Sequence, residues 1–302
     1  MEDVDLALSG KPLKPHVPYK RYCDHVYTMR TSPSARAAVK YHLKRLQDFP
    51  KHKANFFPSI EKPMLLEDGK LDGHVHTFTA GGLKNLIRNY PQLKPSVVLK
   101  AATAIFLLYT TGYTHAIFAH WDSSRDKFPF TTPSSSFPVN VKASDVDGQL
   151  INPILNLISI QSGETKLAFL ERLQEEQELQ SKHAAAPWKE IMRGMDSETA
   201  ELFPEYSTEC VYNWLGTNFQ SSNAYENMEL LEVVNRRDVH RFYVGASLIS
   251  GESENEKVML HIKGSVFKIS EMADFAMSIE KVATWLIEDL NMPIEGFGGA
   301  FQ

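Results

Sequence analysis

Cysteine is scarce in this chain of 302 residues, and long apolar runs and an excess of basic charge are also missing. Cys23 and Cys210 are far apart and form no CxxC pair, which argues against a disulfide framework and fits a reducing cytosol. The most apolar stretch, residues 101–109, is far shorter than the ~20 residues needed to cross a bilayer. The net charge of −5 gives no indication of a nucleic-acid or membrane partner.

The sequence also lacks the short motifs that by themselves indicate catalysis or ligand binding. The chain has no GxSxG elbow, no phosphate-binding GxxxxGK[ST] and no HExxH. Asp145 and Asp147 lack the remaining ligands of a calcium loop. His74 and His76 share one face of a strand without a third ligand nearby, which favours a solvent-facing pair over a zinc site. The sequence therefore predicts no metal and no cofactor.

Proline and glycine divide the chain into three parts. Residues 1–33 carry Pro12, Pro15, Pro18 and Pro33, and proline resists helix, so an extended arm is predicted. Ser34 can then cap a helix that opens the main domain, residues 34–295. The final GFGGAF is followed by no helix, so residues 296–302 are predicted to be a flexible tail. The N-terminal MEDVDLALSG has no signal-peptide pattern.

Strand and helix patterns alternate over the main domain without an internal repeat. The clearest helix, residues 96–112, is apolar nearly all round, with Lys100 as its only charge. A second helix over residues 164–182 is amphipathic and presents Leu167, Leu170, Leu173 and Leu179. Strands are predicted at residues 73–79, 116–120, 209–214, 240–249 and 258–266, and another apolar segment at 151–160. These patterns predict an α/β (α+β) fold with a mixed central sheet and flanking helices.

Polar residues crowd the end of one of these strands, in the stretch HAIFAHWDSSRDKFPF. His120 ends the apolar run, and a histidine there has the chemistry of an acid or base tuned by Asp122. A structural histidine is the other interpretation. Arg125 can likewise pair with Asp122 and only brace a loop.

Several segments in order resemble the condensation domains of nonribosomal peptide synthetases. The family has a buried helix, then a strand, then a loop that carries S-G-R. A similar order occurs here in PSVVLKAATAIFLLYTTGYTHAIFAHWDSSRD, where the S-G-R position is Ser123, Ser124 and Arg125. INPILNLISIQ resembles the family segment "vGpfiNtlPvR". Pro153 and Asn156 match that segment; three positions depart from it, namely Asn152, Ser159 and Gln161.

The resemblance extends over nearly the whole chain. The stretch with His183, Pro187, Trp188 and Ile191 is similar to the family's "hehvpw..I" pattern, and VYNWLGTNFQ looks like a strand with a polar end. DVDLALSGKPL followed by ARAAVKYHLKRL is similar to "DlalaG.plp…a..YW...L". The sequence of these segments resembles fungal members of the family most.

One departure from the family pattern concerns the catalytic motif. Complete condensation domains have two similar lobes, with HHxxxDG in the first, and no HHxxxDG occurs among these 302 residues. The chain looks like a truncated, second lobe alone, which implies a single chloramphenicol-acetyltransferase-like lobe. The family's catalytic histidine cannot be transferred onto any residue here.

A lone lobe has consequences for its surface. The segment from Trp214 to about Val244 matches the place of a crossover onto the missing lobe. Without that lobe, apolar surface and a strand edge lie uncovered, and proteins usually cover such features. The resemblance therefore implies a homodimer or a tight complex with a synthetase.

The resemblance also implies a site on the floor of the channel between lobes. His120 is the candidate acid or base, Arg125 an electrostatic clamp, and Asp122 their third catalytic partner. The predicted substrate-binding residues share polar or aromatic side chains near this floor and are Ser123, Asn156, Asn213 and Trp214. The expected ligand is a small or carrier-bound polar and aromatic molecule.

Four functions stay open at this stage. The first is an enzyme of secondary metabolism that transfers or cyclises an acyl, aminoacyl or peptidyl intermediate. The second is a cyclase or isomerase that folds a reactive substrate without a covalent step. The third is a non-catalytic partner that completes a split condensation domain or docks on a synthetase. Decay to a functionless fragment is the fourth, and intact periodic patterns argue against it.

Overall fold

The computed structural model describes residues 6–13, 16–59, 73–123, 130, 145–147, 150–217, 240–249 and 256–301. Six strands form one sheet in the order β1-β6-β5-β4-β2-β3. Their bounds are Gly73–Thr79 (β1), Ala116–Ser123 (β2), Ile151–Ile158 (β3), Cys210–Thr217 (β4), Phe242–Ile249 (β5) and Lys257–Lys263 (β6).

Both kinds of strand pairing occur in this sheet. β1 with β6, β5 with β6 and β2 with β3 are antiparallel, whereas β2 with β4 and β4 with β5 are parallel. Parallel neighbours need crossover connections. The connection from β2 to its parallel neighbour β4 passes through β3 and the three helices that follow β3. The predicted mixed sheet with flanking helices is confirmed.

Nine α-helices connect or flank the strands within the described residues. They are Tyr19–Met29 (α1), Pro33–Arg45 (α2), Phe49–His52 (α3), Leu83–Asn89 (α4), Pro95–Thr111 (α5), Lys166–His183 (α6), Trp188–Arg193 (α7), Ser197–Glu209 (α8) and Ile269–Ile287 (α9). Two 3-10 helices span Lys53–Asn55 and Ile294–Phe301. None of the helices in this part of the chain is both long and apolar enough to cross a membrane.

Helix α5 lies at the centre of the core. Pro95 occupies its first turn, where a missing amide costs nothing, and Gly112 ends it with a φ of 68°. Thirteen of its residues are buried, from Ser96 to Leu108. Because the helix is covered on all sides, the predicted interior helix is confirmed, with a start one residue earlier than expected.

The sheet has two distinct sides. Phe118, Tyr212, Val244 and Leu260 belong to the main core together with residues of α5, α6, α8 and α9. We call this the helix side. Ala119, Val211 and Tyr243 form a separate small cluster, with Trp121 packed against it, on the other side of the same strands. We call that the far side.

The extended conformation expected for the N-terminal arm is wrong over Tyr19–Met29, which is helix α1. Pro18 is its N-cap, and Pro33 starts α2 behind the N-cap Ser32, whose hydroxyl accepts from the Ala35 amide. Proline is compatible with these first-turn positions because its fixed φ suits a helix and its missing amide is not needed. The prolines therefore mark helix starts, and the cap is Ser32 rather than Ser34.

Two smaller expectations also need correction. The flexible tail is instead a 3-10 helix over Ile294–Phe301, in which Phe297 and Ala300 pack against the main core. Leu179 of α6 is 47% exposed, although Leu170 and Leu173 are fully buried. Leu179 lies nine residues after Leu170, so it leaves the buried stripe as the helix turns.

Candidate functional site

Strand β2 carries most of the predicted site, and its alternation divides those residues between the two sides of the sheet. His120 and Asp122 follow Phe118 on the helix side. Trp121 and Ser123 follow Ala119 on the far side. The polar residues at the end of this stretch therefore form two groups, one on each side of the sheet.

On the helix side, His120 is paired with Asn156 of the neighbouring strand. The Asn156 Nδ2 atom lies 3.1 Å from His120 Nδ1, 3.0 Å from the Phe118 carbonyl and 3.2 Å from the Ile154 carbonyl. Because an amide nitrogen can only donate, His120 Nδ1 accepts, and a neutral ring then carries its proton on Nε2. No acceptor for this Nε2 is found among the described residues.

His120 is buried on the helix side of the sheet in this structure. Its side chain is only 5% exposed and faces the helices, not the far side. Burial lowers the pKa of His120, and the nearby charges of Lys100, Arg45 and His42 lower it further. The strand continues to Ser123, so His120 lies inside β2 with its side chain on the helix side, and its role as an acid or base stays a prediction.

Three further bases surround His120. Lys100 of α5 is 1% exposed, and burial lowers its pKa from 10.5 to about 7. Burial and Arg45 lower the pKa of His42 to about 4, and burial lowers the pKa of Arg45 to about 10. His42 Nε2 donates to the His183 carbonyl at 3.0 Å, so its own ring is held in the core. We call these four bases the buried basic cluster.

Among the described residues, two carboxylates act on this cluster. Glu176 and Asp122 both raise the pKa of Lys100, but less than burial lowers it. Glu176 also binds Arg172 Nη1 at 3.2 Å, and Asp122 accepts from the Ser181 hydroxyl at 2.5 Å. A cavity of only about 10 Å³ lies beside His42 and Arg45. It has room for about one water molecule and none for a substrate.

The far side holds a second group, made of Trp121, Asn213, His240 and Tyr243, which we call the far-side cluster. Asn213 Nδ2 donates to the Tyr243 hydroxyl at 2.9 Å. The His240 and Tyr243 rings stack at 5.7 Å, and the Trp121 ring meets them edge-on at 5.4 Å and 5.9 Å. Tyr243 and His240 are 7% and 6% exposed, so half-buried Trp121 and Asn213 form the accessible part of the group, which combines an aromatic ring with an amide.

The remaining predicted residues do not assemble at one place. Ser123 is exposed at the end of β2, on the far side. Trp214 instead packs against the helix-side core, one residue along β4 from Asn213. Asn156 is fully buried beside His120. Ser124, Arg125 and most of the predicted crossover, residues 218–239, lie outside the described residues.

The two histidines of β1 also differ from expectation. His76 and His74 do share a face, with ring centroids 6.1 Å apart, but they point toward α9 and are half-buried. His76 Nε2 lies 2.5 Å from Glu280 of that helix. The prediction that the two histidines face solvent is therefore wrong, because a helix covers that side of the edge strand. No group of three or more metal ligands was found where the structure is described.

Sequence reasoning missed Tyr243 and His240 and did not use Lys100. Tyr243 and His240 sit three residues apart around the start of β5, where nothing in the sequence pairs them with Trp121. Lys100 did carry a signal, since it was the only charge on an otherwise apolar helix. A charge at such a position must be buried with partners or lose its charge.

Comparison with solved structures reveals one recurrent fold. The epimerization domain from the third module of tyrocidine synthetase B matches with a TM-score of 0.58 at 12% identity, covering 95% of this chain and 63% of its own. The starter condensation domain of rhizomide synthetase, in complex with C8-CoA and Leu-SNAC, matches with a TM-score of 0.62 at 11% identity over 97% of this chain. The first condensation domain of the calcium-dependent antibiotic synthetase gives 0.59 at 12% identity.

These matches establish a condensation-domain-like fold for the chain. The chain spans about three fifths of the length of these solved domains, with 61% to 63% of each covered. No protein-family model and no curated protein sequence matches it.

Proposed function

We propose that the chain binds an acyl, aminoacyl or peptidyl thioester and transfers its acyl group to an amine, with Trp121 and Asn213 of the far-side cluster as its substrate-contacting residues. In such a step the amine attacks the thioester carbonyl, an amide bond forms, and the thiol leaves with a proton. The observation that carries the proposal is the convergence of Trp121, Asn213, His240 and Tyr243 on one side of a condensation-domain-like sheet.

The hydrogen bond between Asn213 and Tyr243 supports a role in the reaction. Asn213 donates one amide N–H to the Tyr243 oxygen, so Tyr243 orients the amide, and the second N–H of Asn213 is suited to meet a developing oxyanion. Lys263 Nζ lies 5.6 Å from the centre of the Tyr243 ring, where its positive charge favours the same stabilisation. Ser123 is exposed on the same side and is a further proposed hydrogen-bond donor.

The buried residues take an indirect part in this proposal. His120 and Asn156 join β2 to β3 on the helix side of the sheet. In this proposal they position Trp121 and Ser123 and do not contact the substrate. Asp122 is tied to α6 through Ser181. A clamp role for Arg125 rests on the S-G-R resemblance alone. Trp214 is proposed as a packing residue beneath β4.

A cyclase or isomerase is the second candidate, and one observation favours it. Burial of His120 removes the predicted acid or base from the substrate side, so a reaction that needs only a shaped surface fits well. The Trp121 ring, packed on Tyr243 and His240, can hold a reactive molecule in a folded conformation without a covalent step. In that case a thioester substrate would be released without transfer of its acyl group.

A partner role is the third candidate, favoured by the edge strand β1. Val75 is 53% exposed on that strand, next to exposed Thr77 and Thr79. An exposed apolar edge can pair with a second copy or with a synthetase. Size-exclusion chromatography with light scattering tests this role, and a clean monomer at micromolar concentration contradicts the homodimer.

The transfer proposal is tested with a panel of acyl-CoA donors and aminoacyl N-acetylcysteamine acceptors, starting from a C8 donor and a leucyl acceptor. Amide product is followed by mass spectrometry. We expect Tyr243→Phe to lower kcat/KM by about 10²-fold, because Asn213 then loses the hydroxyl that orients it.

The matched control is Tyr212→Phe, in the neighbouring strand. Tyr212 faces the helix side, where its hydroxyl donates to the Ser96 carbonyl at 2.7 Å, so this variant loses stability but keeps kcat/KM. Equal losses of activity in the two variants would contradict the far-side assignment. No product over the protein-free rate with any pair in the panel would contradict transfer itself.

A further inference from the structure

A groove on the outer face of α2 lies away from both clusters described above. It has a volume of about 410 Å³ and lies between α2, the end of α1 and α7. The described residues that line it are Arg30, Thr31, Arg36, Val39, Lys40, Leu43 and Glu190. The inner face of α2 carries His42 and Ala38, which are buried. The groove is therefore a separate feature that neither the proposed transfer nor the buried basic cluster uses.

The groove is basic on a protein that is acidic overall. The chain has a net charge of −5, yet three cations line the groove against one acid, Glu190. Glu190 is already engaged by Arg193 Nη1 at 2.5 Å. Within the described part of the chain, Arg30, Arg36 and Lys40 form no ion pair. The groove thus presents positive charge that no described carboxylate neutralises.

Both arginines are held in place by the backbone. Arg30 Nη1 donates to the Tyr27 carbonyl at 2.5 Å, and its guanidinium lies 3.6 Å from the centre of the Tyr27 ring. Arg36 Nη1 donates to the Thr31 carbonyl. Each contact uses one end of a guanidinium group, which leaves N–H groups on the other end for an oxyanion. Binding then costs less side-chain entropy than it would for two mobile arginines.

The helix places charge and apolar surface next to each other. Arg36 and Lys40 are four residues apart on α2 and so share a face, and Val39 and Leu43 repeat at the same interval beside them. Val39 and Leu43 also pack with Phe130 and Met195 around buried Ala38. The groove has an apolar floor and a basic rim, so a small inorganic anion would leave most of its volume unfilled.

We propose that this groove binds a phosphate monoester that carries a short apolar group. The phosphate is bound by the guanidinium groups of Arg30 and Arg36 and the ammonium of Lys40, and the apolar group lies on Val39 and Leu43. Two arginines fit the phosphate because the planar fork of each donates two parallel hydrogen bonds. A doubly charged phosphate also matches the unneutralised charge better than a carboxylate does.

The test is isothermal titration of the full chain with hexyl phosphate, with inorganic phosphate and hexanol as separate ligands. We expect hexyl phosphate to bind at least tenfold more tightly than either of the other two. Arg36→Ala and Lys40→Ala are each expected to weaken that binding about tenfold or more, since each removes a charge-assisted contact.

Lys44→Ala is the matched control, because Lys44 is an exposed cation on the same helix that does not line the groove. It is expected to leave the affinity for hexyl phosphate unchanged. Circular dichroism of each variant checks that α2 still folds. The proposal is overturned if the wild-type chain fails to bind hexyl phosphate at millimolar concentration. It is also overturned if Lys44→Ala weakens binding as much as Lys40→Ala does. Equal affinity for inorganic phosphate and hexyl phosphate would rule out the apolar subsite.

Discussion

The side-chain amide of Asn156 donates to Nδ1 of His120 at 3.1 Å, behind the strand that was expected to carry the catalytic histidine. The contact joins β2 to β3 on the helix side and fixes the proton of a neutral His120 on Nε2. The polar strand end is therefore partly structural. Its residues on the helix side join two strands, and its other residues face the far side.

Asn156 and His120 should be energetically coupled. We expect Asn156→Ala to lower the free energy of unfolding by about 1–3 kcal/mol, because it leaves buried groups without their donor. His120→Ala should cost a similar amount, and the double variant should cost about 0.5–1.5 kcal/mol less than the sum. Urea denaturation of the four proteins measures this cycle. Simple additivity of the two single losses would contradict a direct pairing.

Lys100 should cost stability at neutral pH. Its pKa is 10.5 when unfolded and about 7 when folded, so between these values the unfolded chain holds a proton that the folded chain lacks. Unfolding free energy therefore rises with pH from about 7 to about 10.5. We expect Lys100→Met to gain on the order of 3 kcal/mol at pH 7, with the gain shrinking toward pH 10.

Exposed Lys84 of α4 offers the comparison for this variant. Lys84→Met should leave the unfolding free energy within about 0.5 kcal/mol of wild type at every pH. Chemical denaturation at several pH values between 6 and 10 gives the required curves. A Lys100→Met protein less stable than wild type at pH 7 would show that the ammonium is well paired in the core.

His42 should contribute to acid unfolding. Its pKa is about 4 when folded and 6.5 when unfolded, so as pH falls through this window only the unfolded chain takes up the proton. Stability is present above pH 6.5 and is lost as pH falls toward 4. We expect His42→Gln to flatten this loss by about 2 kcal/mol, since the amide can still donate to the His183 carbonyl. His74→Gln, on the half-buried face of β1, serves as the control, and an identical acid profile for His42→Gln and wild type would refute the prediction.

The two thiols should differ in reactivity. Cys210 is buried at the start of β4, where desolvation raises the pKa of its thiol, whereas Cys23 is exposed on α1. Thiolate is the reactive form, so a disulfide reagent such as Ellman's should modify one thiol per native chain and two after denaturation. Cys23→Ser should abolish the native reaction. Rapid modification of Cys210 in that variant would mean that the start of β4 opens readily.

The periodic elements were predictable because their patterns are local. The strand at Gly73–Thr79 and the interior helix α5 followed from alternation and from an apolar surface. The arm was mispredicted for a reason that is equally local. Proline was taken to oppose helix, although at Pro18 and Pro33 it stands where a helix begins.

The residues of the site could be named from the sequence, but their grouping could not. His120, Asp122, Ser123 and Asn213 all lie on strands, but only Ser123 stands at a strand end. Whether His120 faces substrate or core depends on where β2 ends, and the strand runs on to Ser123. A single strand's pattern does not reveal which of its two faces the helices cover.

Composition, charge and periodicity were enough to establish the α/β class, the interior helix and the lack of any familiar catalytic motif, because each depends on residues close together in the chain. Long-range packing decided the rest. It buried Lys100, His42 and His120 in one basic cluster, brought Tyr243 to Trp121 and Asn213, and left Arg36 and Lys40 on an outer groove. Side chains tens of residues apart meet only when strands align in a sheet, and their charge states follow from that burial.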